Sequence, residues 1–147
     1  MQMSYVRETS AGYLTNWAAR LFARAIERRL AGGNSGPMPV FFALQDGGAM
    51  TQKALAQLAA VEQPTMANTL NRMERDGLVL RTPDPNDRRS AQVSLTPLGR
   101  ERAKAAFVSA IEVNRIATDA LKPEEREVFY DMLRRIIGAL ERDAGTE

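Results

Sequence analysis

One pair of short strands in an otherwise helical chain is the feature that most constrains the fold. Residues 78–81 (Leu-Val-Leu-Arg) and residues 91–95, in which apolar and polar side chains alternate, have the pattern of β-strands. The residues between them, 82–87, are rich in Pro, Asp and Asn, and this composition predicts a turn. Arg88 and Arg89 follow at its end. The sequence therefore predicts one β-hairpin with an arginine-bearing tip.

The helices on either side of this hairpin have recognisable ends. Gly77 stops the helix before it, and Thr96 caps the helix after it, with Pro97 at the first helical position. A basic hairpin tip directly after a helix is the arrangement of a winged helix. In that arrangement the helix contacts bases and the tip reaches the flanking backbone or the minor groove.

The two helices before the hairpin form a helix-turn-helix outline. Thr51 caps the first of them, residues 59–62 form a tight turn, and Pro64 opens the second, with Gln63 before it as an uncommon cap. The apolar residues of the first helix are Ala54, Leu55 and Leu58. The outline by itself is not specific, since helical bundles also contain such corners.

The helix that begins near Pro64 separates its apolar residues from its polar ones. Met66, Leu70 and Met73 fall on one side of a helical wheel and form the predicted buried stripe. The opposite face carries Pro64, Asn68, Asn71, Arg72 and Arg75. No carboxylate lies between residues 63 and 72, and amides and guanidinium groups match the edges of adenine and guanine in a major groove. A solvated helix face is the alternative interpretation.

Composition excludes several classes of protein. The chain has no Cys and no His, which removes disulfides, thiolate nucleophiles, the commonest metal ligand and the commonest general base. We therefore predict no metal site, no cofactor and no catalytic site. The formal charge of the whole chain is only +2, but residues 75–104, with seven basic and four acidic side chains, carry +3. No stretch approaches the roughly 18 apolar residues of a membrane span, so a cytoplasmic location is expected.

Residues 87–99 (DRRSAQVSLTPLG) fit the pattern D-x-R-x3-[IV]-x-L-T-x2-G at every fixed position. This is the wing signature of the multiple-antibiotic-resistance regulator (MarR) family, which the sequence resembles over roughly residues 10–142. The resemblance implies a mainly α fold with a small β-hairpin wing, in a single domain spanning residues 1–147. Within it, residues 35–96 are expected to form the winged helix-turn-helix lobe, and residues 1–34 with 97–147 a helical dimerisation lobe.

The resemblance and the polar helix face together indicate which residues bind double-stranded DNA. The predicted set is Thr51, Gln63, Pro64, Thr65, Asn68, Asn71, Arg72, Arg88 and Arg89. Asp87 matches the wing aspartate and is interpreted as an ion-pair brace for an arginine, because phosphate would repel it. Gly99 is expected to let the following helix pack closely against the base of the wing. An exposed, solubilising turn is the alternative for the arginine pair.

The long terminal helices carry a second pattern. The helix predicted over residues 10–30, capped by Thr9 or Ser10, has an apolar face made of Leu14, Ala18, Leu21, Phe22 and Ala25. The last helix has apolar residues at helical spacing, namely Phe129, Met132, Leu133, Ile136 and Leu140. The resemblance implies that these ends build a two-fold homodimer, which would read a pseudo-palindromic operator. A self-contained helical bundle is the alternative.

The first helix also carries a stripe of aromatic and basic residues. Tyr13, Trp17 and Arg20 lie at positions i, i+4 and i+7. Members of the family that the sequence resembles commonly bind small aromatic acids or phenols between the dimer helices and the winged lobe. An aromatic wall beside a guanidinium suits a planar anion. These three residues, with Phe41 from the second helix, are the candidate effector pocket. Ordinary boundary aromatics with snorkelling arginines are the alternative.

The sequence thus predicts a dimeric, sequence-specific DNA-binding transcriptional regulator, a repressor released by a small aromatic or phenolic effector. The second hypothesis is a winged-helix module that binds protein or RNA and senses no small molecule.

Overall fold

The computed structural model describes residues 3–145 and contains six α-helices and three strands in that range. A short 3-10 helix, Arg7–Thr9, precedes them. The helices are α1 (Ala11–Glu27), α2 (Met38–Ala43), α3 (Gln52–Ala59), α4 (Gln63–Arg75), α5 (Pro97–Thr118) and α6 (Pro123–Asp143). The strands are β1 (Met50–Thr51), β2 (Val79–Asp84) and β3 (Asp87–Leu95). The chain divides into two compact units within α5, one up to Ala110 and one from Ile111 onwards.

The core of the first unit lies between α2, α3, α4 and the sheet. Its most deeply buried large side chains are Val40, Leu44, Leu55, Met66, Leu70, Met73 and Val93. The predicted stripe of α4 is therefore confirmed. Of the apolar residues of α3, Leu55 and Ala56 are buried, whereas Leu58 is 64% exposed. The buried face of α3 is centred between Leu55 and Ala56, and a helical period leaves Leu58 outside it.

The wing is longer than the sequence indicated. The three strands have the order β1-β3-β2 and are antiparallel, with Arg81 opposite Val93 and Pro83 opposite Ala91. β2 extends to Asp84 and β3 begins at Asp87, so both strands enter the predicted turn of residues 82–87, and only residues 85–86 connect them. Pro83 lies in an edge strand, which is where proline is tolerated in a sheet, because half of the N–H groups of an edge strand face away from the neighbouring strand. The sequence analysis also missed β1, which pairs with Val93 and Gln92 of β3.

The junction of α4, the wing and α5 is close-packed. Gly77, at φ +74°, ends α4, and the N–H of Leu78 donates to the carbonyl of Met73 at 2.8 Å. The hydroxyl of Thr96 accepts from the N–H of Gly99 at 3.0 Å, which confirms the predicted cap of α5. A Cβ on Gly99 would lie 2.0 Å from the carbonyl oxygen of Leu78. The close approach expected at Gly99 is therefore confirmed.

Of the three other predicted N-cap positions, the structure confirms those of α1 and α3, and the prediction for α4 is wrong. Ser10 caps α1, accepting from the N–H of Tyr13 at 3.2 Å, and Thr51 caps α3, accepting from Ala54 at 3.1 Å. Gln63 is not a cap: α4 already includes it, and the preceding Glu62 is the N-cap without a side-chain hydrogen bond. Pro64 consequently lies at the second helical position, where its missing N–H still costs nothing.

The predicted apolar face of α1 is largely open in the single chain. Leu14 is 43% and Leu21 48% exposed, and the buried residue of this helix is Ile26, near its end. The helix also ends at Glu27, three residues before the predicted end. Among residues 3–145, no helix is long and apolar enough to cross a membrane.

Candidate nucleic-acid interface

One face of α4 is exposed and polar while its other face anchors the helix in the core. Met66, Leu70 and Met73 are at most 2% exposed and hold the helix in place. All of the predicted DNA-binding residues on α4 are exposed: Gln63, Pro64, Thr65, Asn68, Asn71 and Arg72. Within residues 3–145, Asn68 and Arg72 form no side-chain hydrogen bond or ion pair. These two groups are therefore available to a ligand.

A groove of about 370 Å³ joins the start of α4 to the wing. It is lined by Gln52, Lys53, Gln63, Arg81, Arg89, Ser90, Ala91 and Val93. The lining includes three cations and no carboxylate, so its electrostatic potential favours a polyanion. The structure thus brings together Gln63 and Arg89, which are 26 residues apart in the predicted set. We call this feature the basic groove.

Hydrogen bonds to two aspartates shape the tip of the wing. Asp84 accepts from the backbone N–H of Asn86 at 2.9 Å and from the amide of Gln92 at 3.3 Å. Asp87 accepts from the backbone N–H of Arg89, also at 2.9 Å. The expected ion pair of Asp87 does not occur among the described residues, so the brace acts on the backbone of the tip and not on a guanidinium. The side chain of Arg89 is left exposed in the basic groove.

Arg81 is a site residue that the sequence analysis missed. Its Nη1 donates to Oδ1 of Asn71 at 3.0 Å and lies 3.7 Å from Oε1 of Glu74, so it links β2 to α4. The strand alternation carried a usable signal, because Arg81 shares the face of buried Val79 while Leu80 points outwards. The sequence analysis also missed Gln52, Lys53 and Ser90, since no local pattern indicates that residues of α3 and of the wing line one groove.

Three residues of the candidate effector pocket lie on α1, and the structure separates the fourth, Phe41, from them. Tyr13 and Trp17 meet edge to face, with ring centroids 5.9 Å apart, and Trp17 is 53% exposed on α1. Phe41 is buried instead, and it lines a second cavity of about 370 Å³ whose lining contains neither Tyr13, Trp17 nor Arg20. The prediction that Phe41 joins this stripe is therefore not met in the single chain, because its ring faces the core side of α2.

The apolar stripe of α6 is uncovered within its own unit. Phe129, Met132, Ile136 and Leu140 are between 37% and 63% exposed, and Leu133 is half-buried. Helix α6 itself is well defined at its start, where the carboxylate of Glu125 accepts from the backbone N–H of Lys122 at 2.8 Å. In the described range, no cluster of three or more carboxylates is arranged to hold a metal ion.

The exposed α4 face, the basic groove and the three-stranded wing define a winged helix-turn-helix protein. A sequence model of the MarR family matches residues 40–91. The chain is 35% identical to the transcriptional regulator HosA of Escherichia coli O111:H- over 100 residues, 68% of this chain and 74% of HosA. This chain belongs to the MarR family of transcriptional regulators, whose members are not enzymes.

Two further proteins show how far the similarity extends. The chain is 33% identical to the HTH-type transcriptional repressor NicR of Pseudomonas putida over 95 residues, which are 65% of this chain and 60% of NicR. The structure of BpsR from Bordetella bronchiseptica, whose DNA binding is regulated by 6-hydroxynicotinic acid, superposes with a TM-score of 0.79 at 24% identity. That superposition covers 91% of this chain and 97% of BpsR, and it shows that the fold is shared.

Proposed function

We propose that this protein is a dimeric repressor that binds a pseudo-palindromic DNA operator. The observation that carries the proposal is the basic groove, which holds Lys53, Arg81 and Arg89 without a carboxylate and opens beside the amide-bearing face of α4. A duplex docked there would have α4 in its major groove, where amides and guanidinium groups read base edges. The wing arginines would supply charge at the flanking backbone or minor groove.

A second copy of the chain is the occupant we propose for the exposed apolar stripe of α6. Ile136 and Leu140, at 42% and 63% exposure, are large apolar side chains on a helix that also carries Arg134 and Arg135. Covering such side chains contributes about 25 cal/mol per Å² removed from water. A two-fold dimer would place two α4 helices on one side of a duplex, with half-sites about 34 Å apart.

A planar aromatic acid is the effector class we propose for the α1 stripe. The edge-to-face pair of Tyr13 and Trp17 offers ring surface, and Arg20 lies one turn further along the same helix. An aromatic carboxylate would stack on the ring and pair with the guanidinium. BpsR shares the fold and is regulated by a hydroxylated aromatic acid, which supports this class.

Binding to duplex DNA measured against salt tests the proposal. The duplex is one selected from a random library with this protein, and the control is a scrambled duplex of equal length and composition. If three cations of each protomer reach phosphates, affinity should fall about 10³-fold between 50 and 200 mM salt. The selected duplex should bind at least about 10³-fold more tightly than the scrambled one.

The second candidate, a module that binds protein or RNA, makes a different prediction in the same assay. It would enrich no duplex sequence from the library and would bind the selected and scrambled duplexes equally. That outcome would refute the repressor proposal. The exposed amides of Asn68 and Asn71 favour base reading over this alternative.

A further inference from the structure

We infer that Arg81 is a positioning residue that orients the amide of Asn71 with its NH₂ group towards the ligand, and thereby selects guanine or thymine over adenine at one operator position. The inference rests on the proposed DNA binding and adds the kind of base that this part of α4 reads.

The hydrogen bond between the two residues determines the orientation of the amide. Nη1 of Arg81 lies 3.0 Å from Oδ1 of Asn71. A guanidinium can only donate, so the atom of Asn71 that faces it has to be the carbonyl oxygen. Rotating the amide by 180° would set two donors against each other and lose the hydrogen bond. The orientation therefore follows from the chemistry of the pair.

Arg81 is itself held in place by two neighbours on α4. Besides Asn71, it lies 3.7 Å from the carboxylate of Glu74, three residues further along the same helix. Its side chain is only 26% exposed, against 47% for Glu74, so the guanidinium lies partly covered against α4. Two partners on one helix face restrain a long side chain that would otherwise sample several rotamers.

The occupied oxygen limits what Asn71 can read. A bidentate contact to adenine requires the amide oxygen to accept from N6 and the NH₂ group to donate to N7. With the oxygen engaged by Arg81, the outward group is a donor. It matches guanine, whose O6 and N7 are adjacent acceptors, and O4 of thymine. Adenine offers one acceptor, N7, beside the N6 donor, so the outward NH₂ group makes only a single hydrogen bond there and the bidentate contact is lost.

Asn68 provides the internal contrast. It is exposed on the same helix, three residues before Asn71, and its amide has no partner within residues 3–145. Asn68 can therefore turn either group outwards and is free to pair with adenine in the bidentate manner. Two asparagines of one helix thus have different hydrogen-bonding capacities because only one of them meets Arg81.

The Asn71→Asp variant tests the inference, with duplex selection from a random library as the readout. The aspartate keeps an oxygen for Arg81 and nearly the same shape, but it replaces the outward donor by an acceptor. The wild-type protein should enrich guanine or thymine at one position of each half-site. The variant should enrich cytosine there, whose N4 amino group donates, with a preference changed by about ten-fold or more.

Two further variants complete the test. Asn68→Asp is the matched control, since it adds the same negative charge to the same helix and should leave the position read by Asn71 unchanged. Arg81→Met removes the guanidinium, frees the amide to turn, and should raise the occurrence of adenine at that position. Relative base preference is compared throughout, because the added charge lowers affinity for every duplex.

The outcomes separate the inference from the function on which it rests. If the wild-type protein enriches no duplex, the proposed function fails. If it enriches a sequence and the Asn71→Asp protein, folded by circular dichroism, enriches the same one, the inference is overturned. Uniform weakening without a change of preference would also overturn it, because Asn71 would then contact phosphate.

Discussion

Replacing Gly99 by alanine should lower the free energy of unfolding more than the same replacement at any other glycine of this chain whose backbone is not in the left-handed (positive φ) region. The new Cβ would lie 2.0 Å from the carbonyl oxygen of Leu78 and 3.0 Å from its carbon, whereas comfortable contacts between such atoms are about 3.5 Å. Both atoms of Leu78 belong to the backbone, so the clash cannot be relieved by the rotation of a side chain. The start of α5 has to retreat from the wing by more than an ångström.

The size of the effect follows from what that retreat would break. The N–H of Thr96 donates to the carbonyl of Leu78 at 3.0 Å, and the hydroxyl of Thr96 accepts from the N–H of Gly99, also at 3.0 Å. Losing the backbone hydrogen bond and the cap costs about 1 kcal/mol each, and overpacking adds about 1–3 kcal/mol. The expected loss is therefore about 3–5 kcal/mol in the free energy of unfolding.

Urea unfolding followed by circular dichroism measures this loss. All variants are compared at one protomer concentration, because the proposed dimerisation would contribute to the apparent stability. Gly12→Ala in α1 is the matched control: a Cβ there meets nothing within 4 Å, and the free energy should change by no more than about 1 kcal/mol. A Gly99→Ala protein within about 0.5 kcal/mol of the wild type would refute the argument, since α5 would then leave the wing without cost.

Three predictions concern binding. Arg89→Ala should weaken binding to the selected and the scrambled duplex alike, by about 1–3 kcal/mol, and should reduce the slope of log affinity against log salt concentration by about 0.9. If affinity and slope are both unchanged, Arg89 does not belong to the interface. Ile136→Asp should leave a monomer in sedimentation and lower operator affinity with it, because the desolvated carboxylate costs several kcal/mol; an intact dimer would show that this stripe does not form the interface. A planar aromatic carboxylate should quench Trp17 and lower operator affinity together, by a coupling of about 1–3 kcal/mol, and Arg20→Met should abolish both; quenching without a change in DNA affinity would contradict the sensor proposal.

Several features of this fold could be predicted because they depend on atoms only a few residues apart. Ser10, Thr51 and Thr96 cap helices through N–H groups three residues ahead, so a short stretch of sequence contains the whole interaction. Gly77 ends α4 for a similarly local reason, its positive φ. The buried stripe of α4 follows from the helical period alone.

The wing motif also predicted a contact between elements that are distant in the sequence, but it did not predict which atoms make that contact. The resemblance indicated that α5 approaches the wing at Gly99. The structure identifies the atom approached, the carbonyl oxygen of Leu78, which is 21 residues away in the chain. No periodicity specifies such an atom, because it depends on the angle at which two elements meet.

Tertiary structure alone decided the features that join distant segments. The pairing of Met50 and Thr51 with β3, more than 40 residues away, turns a hairpin into a three-stranded sheet. The same assembly brings Lys53 to Arg89 in the basic groove and Arg81 to Asn71. The contact of Arg81 with Asn71, for example, depends on how far β2 extends and on how α4 is rotated on the core. Packing of the whole unit determines both, since a strand or a helix in isolation has no preferred position relative to its neighbours.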